Sequence, residues 1–192
     1  MKHAEQVTFG GSGMNRAAHI RADQAALEAA LHHPDAACVL LWRGKPLMRG
    51  EALALVPMNH PVLAQPLGRA IEAPVLLGLE ASGAPNFACD ISGWEPEGQD
   101  ASTVGGFHDP SKQHHPDFPP DHLFTELRRV MWQLNPRDAE LAATAKAIVN
   151  WHGSHRFCAA CGVASAVGRG GVCRLTRPDR FRTGHRAGGG AL

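Results

Sequence analysis

Apolar and polar positions follow one pattern in the first half of the chain and another in the second. Residues 1–16 show no periodicity and read as a loop or arm. In "RADQAALEAALHHPDA" (21–36), Ala26, Leu27, Ala30 and Leu31 recur at helical spacing. Asp23 stands where an N-cap belongs, and Pro34 lies just past the end, so a short helix is predicted. Cys38 to Trp42 form a short, unbroken, partly β-branched apolar run that predicts a buried strand, after which "RGKP" turns the chain. "PVLLGLE" (74–80) and "NFACDIS" (86–92) flank the turn sequence "ASGAP" and predict a β-hairpin. The stretch from Trp94 to Asp121 is rich in Pro, Gly and polar residues and reads as loop.

Beyond it the period becomes helical. In residues 121–134, Phe124, Leu127, Met131 and Leu134 share one helical face with charges opposite. Residues 135–152 carry the strongest local signal. Asn135 is a good N-cap, Pro136 suits the first helical position, and Asp138 falls in the first turn, where the helix dipole favours acid. Leu141, Ala145, Ile148 and Val149 form the apolar stripe of this helix. The periodicity then stops. Residues 168–192 are dominated by arginine and glycine, and little stable structure is expected there. The fold class is therefore α/β (α+β).

Composition narrows the function classes. With 192 residues, 44% hydrophobic and 19% charged, the chain can bury a core and form one domain with an appendage or two small domains. A net charge of +1 gives no general attraction to nucleic acid or membranes. No apolar run nears the roughly 20 residues that span a bilayer, and no signal core opens the sequence. A cytoplasmic protein is the expectation. Five cysteines, two of them in a C-x-x-C, suit a reducing compartment and metal binding better than a disulfide framework.

That knuckle, Cys158 and Cys161 in "WHGSHRFCAACGVAS", is the strongest chemical signal. A tight turn brings two thiolates to about 2.3 Å from one zinc, and Gly162 eases the turn. A redox pair of the thioredoxin type would open a helix after a strand, whereas this pair follows a long helix. A zinc ribbon needs a second pair, and only Cys173 follows, without a neighbouring cysteine; His185 is the one further ligand available to a three-cysteine, one-histidine site. The expected reading is an incomplete structural zinc site with a disordered tail, because folding and metal binding are coupled in such modules. "HHPD" occurs at 32–35 and again at 114–117, and both copies are expected to be solvated loop histidines. Asp90, Glu95 and Glu97 are expected as loop and strand-end charges and Trp94 as a packing residue. No Ser–His–Asp arrangement is evident, and "GGSG" at 10–13 lacks the helix and lysine of a phosphate loop.

The order of "FGGSGMNR", "LWRGKPL", "VLLGLEASGAPNFACDISGW", "FHDPSKQHHPD", "ELRRVM", "DAELAATAKAIVNWHGSHRFCAACG" and "GRGG" resembles the NADH pyrophosphatase family of the Nudix superfamily, over about residues 7–171. The resemblance implies a degenerate Nudix-like N-terminal domain (1–120), a helical connector (121–152), the first half of a zinc ribbon (153–171) and an irregular tail (172–192). It implies for the complete enzyme a homodimer that uses magnesium or manganese. That enzyme cleaves the pyrophosphate of NAD(H) to nicotinamide mononucleotide and AMP and removes NAD caps from RNA. Cys158 and Cys161 match the first pair of ribbon ligands; Cys173 stands alone against the second. The family's metal-binding helix, G-x5-E-x7-R-E-U-x-E-E-x-G, has no counterpart, so no catalytic residue carries over. The arginine–glycine tail has the composition of a GC-rich gene read out of frame. A one-base shift permits P-x-T-x-P-V-V over residues 183–190, in the order the family would show there. The expectation is thus a truncated or frameshifted chain, inactive by itself. The alternative is a non-catalytic dimerisation or regulatory module that pairs with an intact homologue. Electrostatic RNA binding by Arg169 to Arg186 is the least favoured reading.

Overall fold

The run Ala37–Trp42 lacks polar alternation because both of its faces are buried. Cys38, Leu40 and Trp42 point into one apolar cluster, and Val39 and Leu41 into a second on the opposite face. The computed structural model describes residues 9, 13–64, 71, 73–96, 111–159, 161–168, 170–171 and 173–175, the last three by backbone alone. In chain order the elements are α1 (Gln24–Leu31), β1 (Ala37–Trp42), β2 (Lys45–Arg49), β3 (Ala52–Leu53), β4 (Leu55–Pro57), β5 (Val75–Leu79), β6 (Pro85–Asp90), β7 (His122–Phe124), α2 (Leu127–Val130), α3 (Pro136–Ser154), β8 (Ala166–Gly168) and β9 (Cys173–Leu175).

Strands β1 to β7 form one mixed sheet. β1 lies at its centre, parallel to β6 on one side and antiparallel to β2 and β4 on the other. The hairpin read at 74–92 is present: β5 pairs antiparallel with β6. Helix α1 covers one face through Ala30, with Leu27 and Leu31 packed beside it. Helix α3 covers the other face with Leu141, Ala142, Ala145 and Val149, joined by Leu127 and Val130 of α2. The architecture is an α/β layer structure, and both expected helix caps are in place. Asp23 accepts from the amides of Ala25 and Ala26 at 3.0 and 3.1 Å, and Asn135 accepts from the amide of Asp138 at 2.9 Å.

Two expectations are corrected here. Residues 121–134 are not one amphipathic helix: 122–124 is strand, and α2 is a single turn, Leu127–Val130. Phe124 is fully buried beside Trp42, between the β2 register partner Leu47 and a backbone bridge to Gln113. Sheet pairing therefore outweighs a helical spacing that local residues barely support. Cap residue Glu126 makes no side-chain cap bond and is instead ion-paired to Lys146 of α3 at 2.6 Å. In the tail, Cys173–Leu175 is a strand that pairs with Ala166–Gly168; residues 176–192, with His185, lie outside the described residues.

The turn joining β1 and β2 is tighter than "RGKP" implied, because the strand resumes at Lys45. Its two central residues, Arg43 and Gly44, have φ of 49° and 75°, as a two-residue hairpin turn needs. A non-glycine residue is uncommon in this region, and Arg43 is held there from three sides. Its amide donates to Ser92 Oγ at 2.7 Å, its guanidinium lies 5.0 Å from the Trp42 ring, and its Nη2 donates to Glu95 at 2.6 Å.

Candidate functional site

The cysteine knuckle is built on the exit from α3. Phe157 bridges to Ala164, the Cys158 amide donates to the Val163 carbonyl at 2.8 Å, and the Gly162 amide donates back to the Cys158 carbonyl at 2.8 Å. Gly162 takes a φ of 68°, which explains the glycine after the second cysteine. This closed turn presents Cys158 half-buried and Cys161 exposed, neither of them in a disulfide. Two sulfurs on such a turn match the donor chemistry of a structural zinc ion. Among the described residues, no three His, Cys, Asp or Glu side chains gather to complete a metal site. Cys173 stands opposite Gly168 across the β8–β9 hairpin, where only its backbone is described. His152 and His155, the nearest histidines in sequence, are engaged elsewhere: His152 donates to the Gly171 carbonyl, and His155 contacts Ser154 and Trp151.

The two "HHPD" copies fold alike. In each, the second histidine's Nδ1 accepts from the amide two residues on, Asp35 at 3.1 Å and Asp117 at 3.2 Å. The carbonyl of that histidine then accepts from residue 36 or 118, closing the turn. Their environments differ, which corrects the expectation that both are solvated. His115 is only 2% exposed and packs 4.3 Å from the Trp94 ring, with Phe118 at its edge. Desolvation holds its pKa below the ordinary 6.5. With Nδ1 accepting, the neutral ring carries its proton on Nε2, for which no partner is described.

The acidic residues near Trp94 are structural. Asp90 ends β6 fully buried, accepting from the Ser92 amide at 3.0 Å and from the Ser92 hydroxyl. Glu95 pairs with Arg43, and Glu97 lies outside the described residues. Trp94 packs as expected, edge-on to Trp42 at 5.6 Å. Two buried polar residues escaped the sequence reading. Lys45 is almost fully buried, and its Nζ donates to the carbonyl and hydroxyl of Ser111 at 2.9 and 3.1 Å. Asn86 donates to Glu80, which also receives Arg137 from α3. The Arg137 hydrogen bonds hold the Glu80 carboxyl below its ordinary pKa. No period or spacing marks either residue: Ser111 lies 66 residues from Lys45, and Arg137 lies 57 residues from the Glu80 that Asn86 reaches across the β5–β6 turn.

Comparison with known proteins converges on one family. A family model described as "NADH pyrophosphatase-like rudimentary NUDIX domain" matches residues 35–151, more than half of the chain. The human protein "NAD(P)H pyrophosphatase NUDT13, mitochondrial" is 36% identical over 94 residues, covering 48% of this chain and 24% of that relative. The matched stretch thus spans about a quarter of the human protein's length. The family match takes in the whole sheet from β1 to β7 and nearly all of α3, which covers one of its faces; α1, on the other face, precedes the match. On this evidence the chain belongs to the NADH pyrophosphatase-like rudimentary NUDIX domain family.

Proposed function

We propose that these residues form the non-catalytic scaffold of an NAD(H) pyrophosphatase and do not hydrolyse dinucleotides by themselves. One observation carries the proposal: five carboxylates of the described residues are committed to structural partners. Glu80 holds Arg137, Glu95 holds Arg43, Glu126 holds Lys146 and Glu140 holds Arg16, while Asp90 caps its own turn at Ser92. Pyrophosphate cleavage in this superfamily needs several carboxylates converging on divalent metal, to polarise the phosphoryl oxygens and activate water. The glutamate-rich helix that supplies them is not written in these 192 residues. The similarity to an NAD(P)H pyrophosphatase supports NAD(H) as the substrate of a complete enzyme, which yields nicotinamide mononucleotide and AMP. Cys158 and Cys161 would hold one side of a structural zinc ion, which would rigidify the ribbon and take no part in hydrolysis.

The test is direct. Purified chain is incubated with NADH and Mg²⁺ or Mn²⁺, and nicotinamide mononucleotide and AMP are quantified by chromatography. Release equal to the metal-only blank is expected; chelator-sensitive release above it overturns the proposal.

A second reading, a dimerising or regulatory module, is favoured by Trp132, which is 75% exposed at the end of the α2 turn. It predicts concentration-dependent self-association by light scattering. A monodisperse monomer up to high concentration would exclude homodimerisation through this surface.

A further inference from the structure

Gly170 and Gly171 of the "GRGG" stretch, which has no apolar periodicity, are anchored on the sheet domain. Gly170 and Gly171 lie at the tip of the β8–β9 hairpin, where the Gly171 amide donates to the Gly168 carbonyl at 3.1 Å. Gly170 and Gly171 take φ of 61° and 86° and are both buried. Three elements of the sheet domain converge on this tip. The outer edge of β5 supplies the Leu76 amide, which donates to the Gly170 carbonyl at 3.0 Å. Helix α3 supplies His152, fully buried, whose Nε2 donates to the Gly171 carbonyl at 2.6 Å. The N-terminal segment supplies Arg21. Its stem lies 3.3 Å from where a Gly170 Cβ would be, and its guanidinium donates to the carbonyls of Leu76 and Leu77.

Sterics make the seat specific. A Cβ on Gly171 would stand 2.4 Å from Val75 Cγ2 and 2.7 Å from its Cβ, closer than two carbons can approach. The bare backbone is what fits against the β5 edge. Since β5 ends the sheet, its free amides need partners: Asn15 pairs with Leu79, and the hairpin tip takes Leu76.

We propose that Gly171 and His152 form a latch that positions the zinc-ribbon hairpin on the sheet domain through protein contacts, independently of metal. His152 is a positioning residue: it fixes the hairpin tip from the last turn of α3, six residues ahead of Cys158. Metal binding at Cys158 and Cys161 then acts on a hairpin already docked, in contrast to ribbon modules that fold only with metal.

The test reads amide hydrogen exchange in the full 192-residue chain by NMR, comparing Leu76 with the interior β6 amides. In chelator-treated protein, Leu76 should stay protected. In Gly171→Ala, its exchange should accelerate by about tenfold or more while β6 is unchanged. Loss of Leu76 protection on chelation alone, with β6 intact, would overturn the proposal. So would unchanged protection in Gly171→Ala. If Gly171→Ala loses protection everywhere, His152→Ala and His152→Gln decide. Gln restores an Nε2 donor, so release of Leu76 in Ala and retention in Gln supports the latch, and equal behaviour of the two refutes it.

Discussion

Replacing Phe124 with alanine separates two descriptions of residues 121–134. On an amphipathic connector helix, Phe124 would contribute modestly. As the last residue of β7 it is fully buried against Trp42, with its backbone paired to Leu47 and Gln113. A phenyl ring removed from such a site leaves a cavity that neighbours can only partly fill. Truncations of this kind cost about 3–5 kcal/mol. Domains of this size hold roughly 5–15 kcal/mol in total, so Phe124→Ala should remove a large share of the stability. Urea unfolding followed by far-UV circular dichroism gives the midpoint and slope, and an unchanged slope licenses the comparison. Trp132→Ala is the internal control: at 75% exposure it should change stability by less than about 0.5 kcal/mol. A Phe124→Ala cost under about 1 kcal/mol would refute the burial argument. If that variant fails to fold, Phe124→Leu keeps most of the volume and should lower the midpoint measurably.

Two pH effects follow from the polar network. The Glu80 carboxyl is held below its ordinary 4.5 mainly by Arg137, so its stabilisation is full above pH 4.5 and is lost as pH falls through the lower folded value. Glu80→Gln should flatten that acid limb in thermal melts; an unchanged limb would show that the pair contributes nothing. For His115, whose pKa burial lowers from 6.5, stability is full above pH 6.5 and declines as acidification forces a charge into the Trp94–Phe118 pocket. His115→Phe should remove the loss of stability between neutral pH and pH 5, and persistence of that loss would point to another group. Thiol labelling should be split. Cys161 and Cys158 react with a maleimide, while Cys38 and Cys89 do not in native protein, because both are fully buried and the hydrogen bond with Cys89, followed by desolvation, pushes the Cys38 thiol well above its ordinary value. Mass-spectrometric mapping that finds Cys38 modified before unfolding would contradict the core assignment.

What the sequence announced was whatever local chemistry encodes. Asn135, Pro136 and Asp138 mark the start of α3 because a helix N-terminus needs an acceptor, a missing donor and a negative charge at those places. The knuckle is legible because the C-x-x-C spacing and the following glycine are themselves the turn. Strand β2 was missed since "KPLMR" has charged ends and a proline. Its burial comes from pairing with β1, β3 and β7, and Lys45 is tolerated there with Ser111 accepting from its Nζ and the Trp42 ring 5.8 Å away. β7 was missed for the same reason, its determinants lying in β2 and at Gln113. The glycines at 170 and 171 read as disorder because their order is conferred by β5 and His152, not by their neighbours in sequence.

The parallel pairing of β1 with β6 bears on how the protein is born. Val39 on β1 lies beside Ala88 on β6, yet the two are separated by the whole of β2 to β5. The ribosome must therefore release the chain past Asp90 before the central pair can form, and past Ser154 before α3 can roof Val39, Leu41, Val75 and Leu77. Throughout that interval a sheet face made of aliphatic side chains faces water on the nascent chain. Such non-local topologies fold slowly and expose sticky surface while they wait. Slower translation between β6 and the end of α3 should lengthen that exposure and raise the risk of aggregation before the domain closes.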